Sequence, residues 1–90
     1  MRKRYVFVGK VQGVGFRAFC SDAALSRDVR GWVRNRPDGS VEMEAEAPVP
    51  VLEDLLRHLR TRHPWARVDR VEEMDLAPRG DDAEGFDIVS

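Results

Sequence analysis

Gly9-Lys10-Val11-Gln12-Gly13-Val14-Gly15-Phe16-Arg17 joins two segments of different period, and that change of period decides the fold. Before it, Tyr5 to Val11 is rich in β-branched and aromatic residues and reads as a strand that runs into the glycine turn. After it, Phe16, Phe19, Cys20 and Ala23 fall at i, i+3, i+4 and i+7, the spacing of one helix face. A strand therefore passes into a helix through a glycine-rich turn. Glycine permits positive φ and lets backbone amides come close to a ligand. Amides curling into a helix N-terminus point at one spot, where the helix dipole favours negative charge. Arg17 adds a planar fork of donors suited to phosphate or carboxylate oxygens. A cation in a first turn opposes the dipole, so an anion explains its position better than solvent does.

Working outward, the first helix frays by Arg27 to Arg30, and Gly31 to Asn35 reads as a second strand. Pro37-Asp38-Gly39 is turn chemistry. Val41, Met43 and Ala45 then alternate strictly with Glu42, Glu44 and Glu46, a strand with one buried and one wet face, forming a hairpin with the strand before it. Pro48 and Pro50 bracket the start of a second helix, with Leu52, Leu55, Leu56 and Leu59 as its apolar stripe. Acidic Glu53 and Asp54 come early in it, and Arg57, Arg60 and Arg62 late, which suits the dipole at both ends; Pro64 stops it. Val68 to Met74 reads as a fourth strand, in which Val68 and Val71 have opposite parity, as a bulge or an edge position would give. Ala77 to Gly85 is a polar loop, and Phe86 and Ile88 fit a short last strand. The order strand, helix, strand, strand, helix, strand predicts an α/β (α+β) fold: a ferredoxin-like split β-α-β sandwich, an antiparallel sheet with two helices on one face.

The 90 residues are enough for one domain, 1–90, with a modest core. No apolar run approaches the ~20 residues a membrane span needs. Met1-Arg2-Lys3-Arg4 is basic, but the apolar run behind it is too short for a signal peptide, so the expected location is cytoplasmic and no membrane contact is expected. A net charge of −1 argues against a nucleic-acid partner. Locally, Arg27, Arg30, Arg34 and Arg36 crowd the region after the first helix. One cysteine, Cys20, excludes an internal disulfide, and its place on the buried helix stripe marks it as a small core residue rather than a nucleophile. His58 and His63 are five residues apart, on different helix faces, and read as solvated helix-end residues rather than a metal pair. Trp32 and Trp65 read as packing groups, and the Glu42, Glu44 and Glu46 row as a solvated strand face. Neither metal nor cofactor is expected. Gly13 and Gly15 have two explanations of equal weight: the turn needs them, and a ligand approaches them.

The block Gly9–Arg17 with Ala18-Phe19, then Gly31-Trp32-Val33-Arg34-Asn35, then Asp38-Gly39-Ser40-Val41-Glu42 resembles the acylphosphatase family in order and spacing. The resemblance extends through the second helix to Ala66-Arg67-Val68. Departures at Ala47 and at Arg62-His63-Pro64, where the family usually carries a glycine, lie outside these blocks. It implies metal-independent hydrolysis of the carboxyl–phosphate bond of small acyl phosphates, giving a carboxylate and inorganic phosphate. By that analogy Arg17 and the amides of Gln12, Gly13, Val14, Gly15 and Phe16 hold the phosphoryl group, and Asn35 holds the attacking water; Arg17 and Asn35 are the catalytic pair. The only partner implied is the small-molecule substrate, and the expected state is a monomer.

Without the resemblance, Asn35 is simply an asparagine before a turn. Two other classes fit less well. In RNA-recognition motifs the aromatic signature lies on the third strand, whereas here that strand carries Glu42, Glu44 and Glu46, which repel phosphates. A non-catalytic phosphate- or anion-binding regulatory domain would use the same loop without turnover.

Overall fold

The structure is a computed structural model that describes residues 1–79 and 84–90. The strict alternation around Met43 builds its centre. Strand β3 (Val41–Glu46) lies between β1 (Arg2–Lys10) and β2 (Arg30–Asn35), antiparallel to both. Met43 faces Tyr5 on one side and Val33 on the other. All three point to the face covered by α1 (Phe16–Leu25) and α2 (Val49–Thr61), and all three are buried. Leu52, Leu55 and Leu59 bring the α2 stripe onto this layer, and Phe16, Cys20 and Ala24 bring that of α1. Each buried leucine contributes about 1.5–3 kcal/mol relative to an exposed one. Strands β4 (Arg67–Leu76) and β5 (Phe86–Val89) close the order β4-β1-β3-β2-β5.

The first four strands pair antiparallel, as expected; β5 does not. It runs parallel to β2, with Gly31 opposite Phe86 and Val33 opposite Ile88, so the sheet is mixed. Alternation in Phe86 and Ile88 gives the face of that strand, but a four-residue segment carries no information about the direction of its neighbour. The edge of β2 was open, and β5 covers it. Residues 80–83 of the expected loop Ala77 to Gly85 lie outside the described residues.

The parity conflict in β4 is resolved by a bulge. Val8 pairs with Arg70 and Gly9 with Val68, so Asp69 is the extra residue. With it, Val71 opposite Phe7 and Val68 opposite Gly9 reach the same face, and both are half-buried. The first helix ends earlier than its pattern suggests. Asp28 takes φ 55°, and the Val29 amide closes back onto the Ala24 carbonyl at 2.9 Å. Aspartate tolerates the left-handed region better than most residues, which is why no glycine announces this stop.

The glutamate row is not a wet face. Glu42 is 7% exposed and Arg2 4%. On the side of the sheet away from the helices, Glu42 lies 3.2 Å from Arg4 and 2.7 Å from Arg34. Glu44 lies 2.8 Å from Arg2 and 3.0 Å from Arg4. Glu46 lies 3.4 Å from Arg2 and from Arg30. Alternation identifies the face, but long arginine stems lie over it and exclude water. The same pairs absorb much of the arginine crowding after α1, and Arg27 is held by Asp54 at 2.9 Å. Trp65 is 73% exposed, contrary to its expected packing role, whereas half-buried Trp32 carries the Arg34 guanidinium over its ring at 5.7 Å.

Burial pushes the Glu44 carboxyl up, but hydrogen bonds from Arg4 and Arg2 outweigh it and hold its pKa below the ordinary glutamate value. Its contribution to stability is therefore complete above the unfolded pKa of about 4.3, and is lost as pH falls through the folded value. Thermal unfolding followed from pH 7 to pH 2 should show the Tm of Glu44→Gln below wild type at neutral pH and converging with it in acid. A gap that stays constant with pH would remove this assignment.

Candidate active site

The turn after β1 cannot continue the sheet and begins a helix, which leaves the first amides of α1 without carbonyl partners inside the helix. Gly15 occupies the N-cap at φ 75°, and no side chain caps the helix. The first bond back into the loop is from the Phe19 amide to the Gly15 carbonyl at 3.1 Å. Among the described residues, the amides from Gly13 to Ala18 have no hydrogen-bond partner. Gly13 takes φ 74°, and a Cβ at either glycine would meet no protein atom within 4 Å. The left-handed backbone alone therefore explains both glycines, and the space in front of them is open.

An open cleft of about 230 Å³ lies against this loop, lined by Gln12, Gly13, Gly15, Phe16 and Arg17, with Asn35 from the end of β2. Phe16 anchors the loop from below, 1% exposed and edge-on to Phe7 with ring centroids 5.3 Å apart. Arg17 is half-buried, with no ion pair or side-chain hydrogen bond among the described residues. Among the described residues it is the one charged side chain lining the cleft. Asn35, paired with Val41 at the end of the hairpin, lies on the helix-covered side of the sheet by its parity with Val33.

Of the residues that the resemblance places in the site, only Val14 is absent from the cleft lining; its side chain packs against the core, leaving its backbone amide for a cradle. Gln12 lines the cleft, yet its side-chain amide is committed to the β2–β3 turn: Nε2 donates to the Arg36 carbonyl at 2.8 Å and to the Ser40 carbonyl at 2.9 Å. Ala18 and Ile88 also line the cleft and were not foreseen. Ile88 reaches it only because β5 lies parallel beside β2, a pairing with no sequence signal.

The remaining candidates are elsewhere. Cys20 is fully buried, and burial pushes its thiol pKa up, which fits a core residue. His58 and His63 are not solvated helix-end groups: they flank one ring, His58 stacked on Phe19 and His63 edge-on to it, each with centroids 5.0 Å apart. His63 lies beyond the end of α2, where Nδ1 accepts the Trp65 and Ala66 amides at 3.1 and 3.0 Å. Among the described residues no group of three or more histidine, cysteine, aspartate or glutamate side chains is arranged to hold a metal. No helix among them is long and apolar enough to cross a membrane.

Comparison with known proteins adds a family to this geometry. The acylphosphatase family model matches residues 3–88. An acylphosphatase of Synechococcus sp. (strain CC9902) is 47% identical over 81 residues, spanning 90% of this chain and 69% of that protein. The crystal structure of acylphosphatase from Bacillus subtilis superposes with a TM-score of 0.91 at 34% identity, covering 99% of this chain and 98% of that one. The crystal structure of T. kodakarensis HypF matches with a TM-score of 0.80 at 33% identity, over 98% of this chain but 12% of that one.

Gly15→Ala should destabilise the fold by about 1–2 kcal/mol through the left-handed backbone alone, because the added methyl clashes with nothing. Urea unfolding measures this; a neutral substitution would show that the loop relaxes to another conformation.

Proposed function

The chain belongs to the acylphosphatase family and hydrolyses acyl phosphates; from that premise we propose how its residues divide the reaction. The phosphoryl oxygens sit against the unpartnered amides of the loop between Gln12 and Phe16, with Arg17 bridging them from the first turn of α1. Asn35 holds the attacking water across the cleft. The observation that carries this reading is that Arg17, the free loop amides and Asn35 line one open cleft, with no other charged side chain among the described residues lining it.

Phosphoryl transfer needs little covalent help, so fixed donors aimed at the equatorial oxygens supply most of the rate. The amides are fixed by the turn and the helix start, and the dipole adds its own positive end. A carboxamide both donates and accepts, so Asn35 can orient a water towards phosphorus in line with the departing oxygen. The water oxygen bonds to phosphorus as the bond from phosphorus to the acyl oxygen breaks, and the carboxylate leaves with the electron pair. The proton released by the water passes to a phosphoryl oxygen of the substrate, since among the described residues no carboxylate or imidazole lines the cleft to take it. The products are a carboxylate and inorganic phosphate. The carboxylate is a good leaving group, which makes a weak, substrate-borne base sufficient.

Hydrolysis of benzoyl phosphate in excess chelator, followed by its ultraviolet absorbance, tests the scheme. Wild type should turn over. Arg17→Ala should lose about 10²–10³-fold in kcat, the range for one oxyanion donor, and bind inorganic phosphate more weakly. Asn35→Ala should lose turnover by a similar factor while inorganic phosphate inhibits as before. Unchanged phosphate inhibition in Arg17→Ala would overturn the cradle, and full turnover in Asn35→Ala would return that residue to a strand end. Phosphate binding without any wild-type turnover would leave a regulatory anion-binding domain. The pH dependence of kcat should contain no limb from an enzyme carboxylate or imidazole; such a limb would replace the substrate oxygen as proton acceptor.

A further inference from the structure

We infer that the Gln12 side chain is a positioning residue: it ties the phosphate loop to the β2–β3 turn and so sets where Asn35 stands relative to the cradle. This rests on the reading of Asn35 as the residue that orients water. The turn is closed by its own backbone, with the Arg36 amide donating to the Ser40 carbonyl at 2.9 Å and the Gly39 amide to the Arg36 carbonyl at 3.1 Å. The Gln12 carboxamide enters this closed loop from the other side of the cleft and gives one N–H to each of the same two carbonyls. Both of its donors are used, and each carbonyl then accepts two hydrogen bonds. The reverse orientation would put its oxygen against two carbonyl oxygens, so the contact has one sense.

The far end of the turn is braced independently. Asp38 Oδ1 accepts the Ser40 amide at 2.9 Å and the Ser40 hydroxyl at 2.6 Å, and Ser40 is 5% exposed. Arg36, one of the two residues that Gln12 holds, directly follows Asn35 in the chain. Gln12 itself directly precedes Gly13 in the loop that carries the unpartnered amides. One side chain thus spans from the start of the cradle to the peptide next to Asn35. Without it, the cradle and Asn35 are related only through the sheet and the core, and β1 and β2 are not neighbours in the sheet.

The carbonyls that Gln12 meets keep their backbone donors when it is removed, so the fold should tolerate its loss. Gln12→Met keeps the length and removes the donors; Gln12→Ala repeats the test without the chain. On benzoyl phosphate, Gln12→Met should lower kcat about 10- to 100-fold, the scale of a small misplacement of reacting groups, while inhibition by inorganic phosphate is nearly unchanged. In an Asn35→Ala background the same substitution should change kcat by no more than about twofold, because its effect passes through Asn35. A loss of phosphate affinity that matches the loss of kcat would overturn the inference, as would a full effect in the Asn35→Ala background. The side-chain amide resonances of Asn35 in isotopically labelled protein read the contact without turnover, and Gln12→Met should shift or broaden them. Wild type that fails to hydrolyse benzoyl phosphate would remove the hydrolytic reading; the resonances would then decide alone, and unchanged ones would overturn the coupling.

Discussion

A helix begins with amides that its own carbonyls cannot reach, and in this fold that shortage falls at the mouth of the cleft. Most helix starts offset it with a serine, threonine or aspartate side chain. Here the N-cap is Gly15 and no side-chain cap is made. The run of free amides from Gly13 to Ala18 is compatible with stability because the loop opens to free space at Gly13 and Gly15 and borders the cleft, where water or an anion can satisfy it. Phe16 keeps the run in place, since its buried ring locks the first helical residue onto Phe7. The pocket is therefore a consequence of how β1 is joined to α1, and the rest of the sheet serves to bring Asn35 opposite to it.

Charge is distributed with the same result. The chain holds nearly equal numbers of basic and acidic residues, 15 and 16, and on the open face of the sheet they neutralise one another in rows. Glu42, Glu44 and Glu46 each form ion pairs with two arginines. Buried pairs of this kind contribute little beyond what apolar packing would, but breaking one leaves a charge without its partner. All three glutamates lie on that face, and none of them lines the cleft on the helix side. Among the described residues Arg17 has no protein carboxylate partner, and it stands where the start of the helix also presents positive backbone charge.

Most of the fold was legible because it rests on period. The Val41–Glu46 alternation, the leucine stripe of α2 and the switch at Gly9–Arg17 each have one physical reading, and each holds. What escaped was set by partners rather than by local pattern. β5 has the same alternation whichever way its neighbour runs, so its parallel pairing, and with it the arrival of Ile88 in the cleft, had no local signature. The glutamate row was assigned to water because its face was known but the arginines that cover it come from β1 and β2. Asp28 ends α1 without a glycine, and Trp65 stands exposed although its size argues for burial. His58 and His63 both reach Phe19 because the chain turns after Thr61, which spacing along a helix cannot express.

For the site, the loop and Arg17 carried their chemistry in the sequence, whereas Asn35 did not. An asparagine before a turn is ordinary, and only the family resemblance distinguished it. The geometry shows where it stands. Asn35 is the last paired residue of β2, where the strand still fixes its direction but the turn beyond has freed its side chain for the cleft. A position of that kind is precise only if the turn is rigid. Asp38, Ser40 and the Arg36–Ser40 pair close the turn from within, but internal bonds cannot orient it relative to another segment. That relation needs a contact crossing from β1 to the turn, and a long side chain with two donors at the first residue of the cradle provides one. The glutamine in this motif is then explained by what it reaches, and the glycines beside it by the backbone they allow.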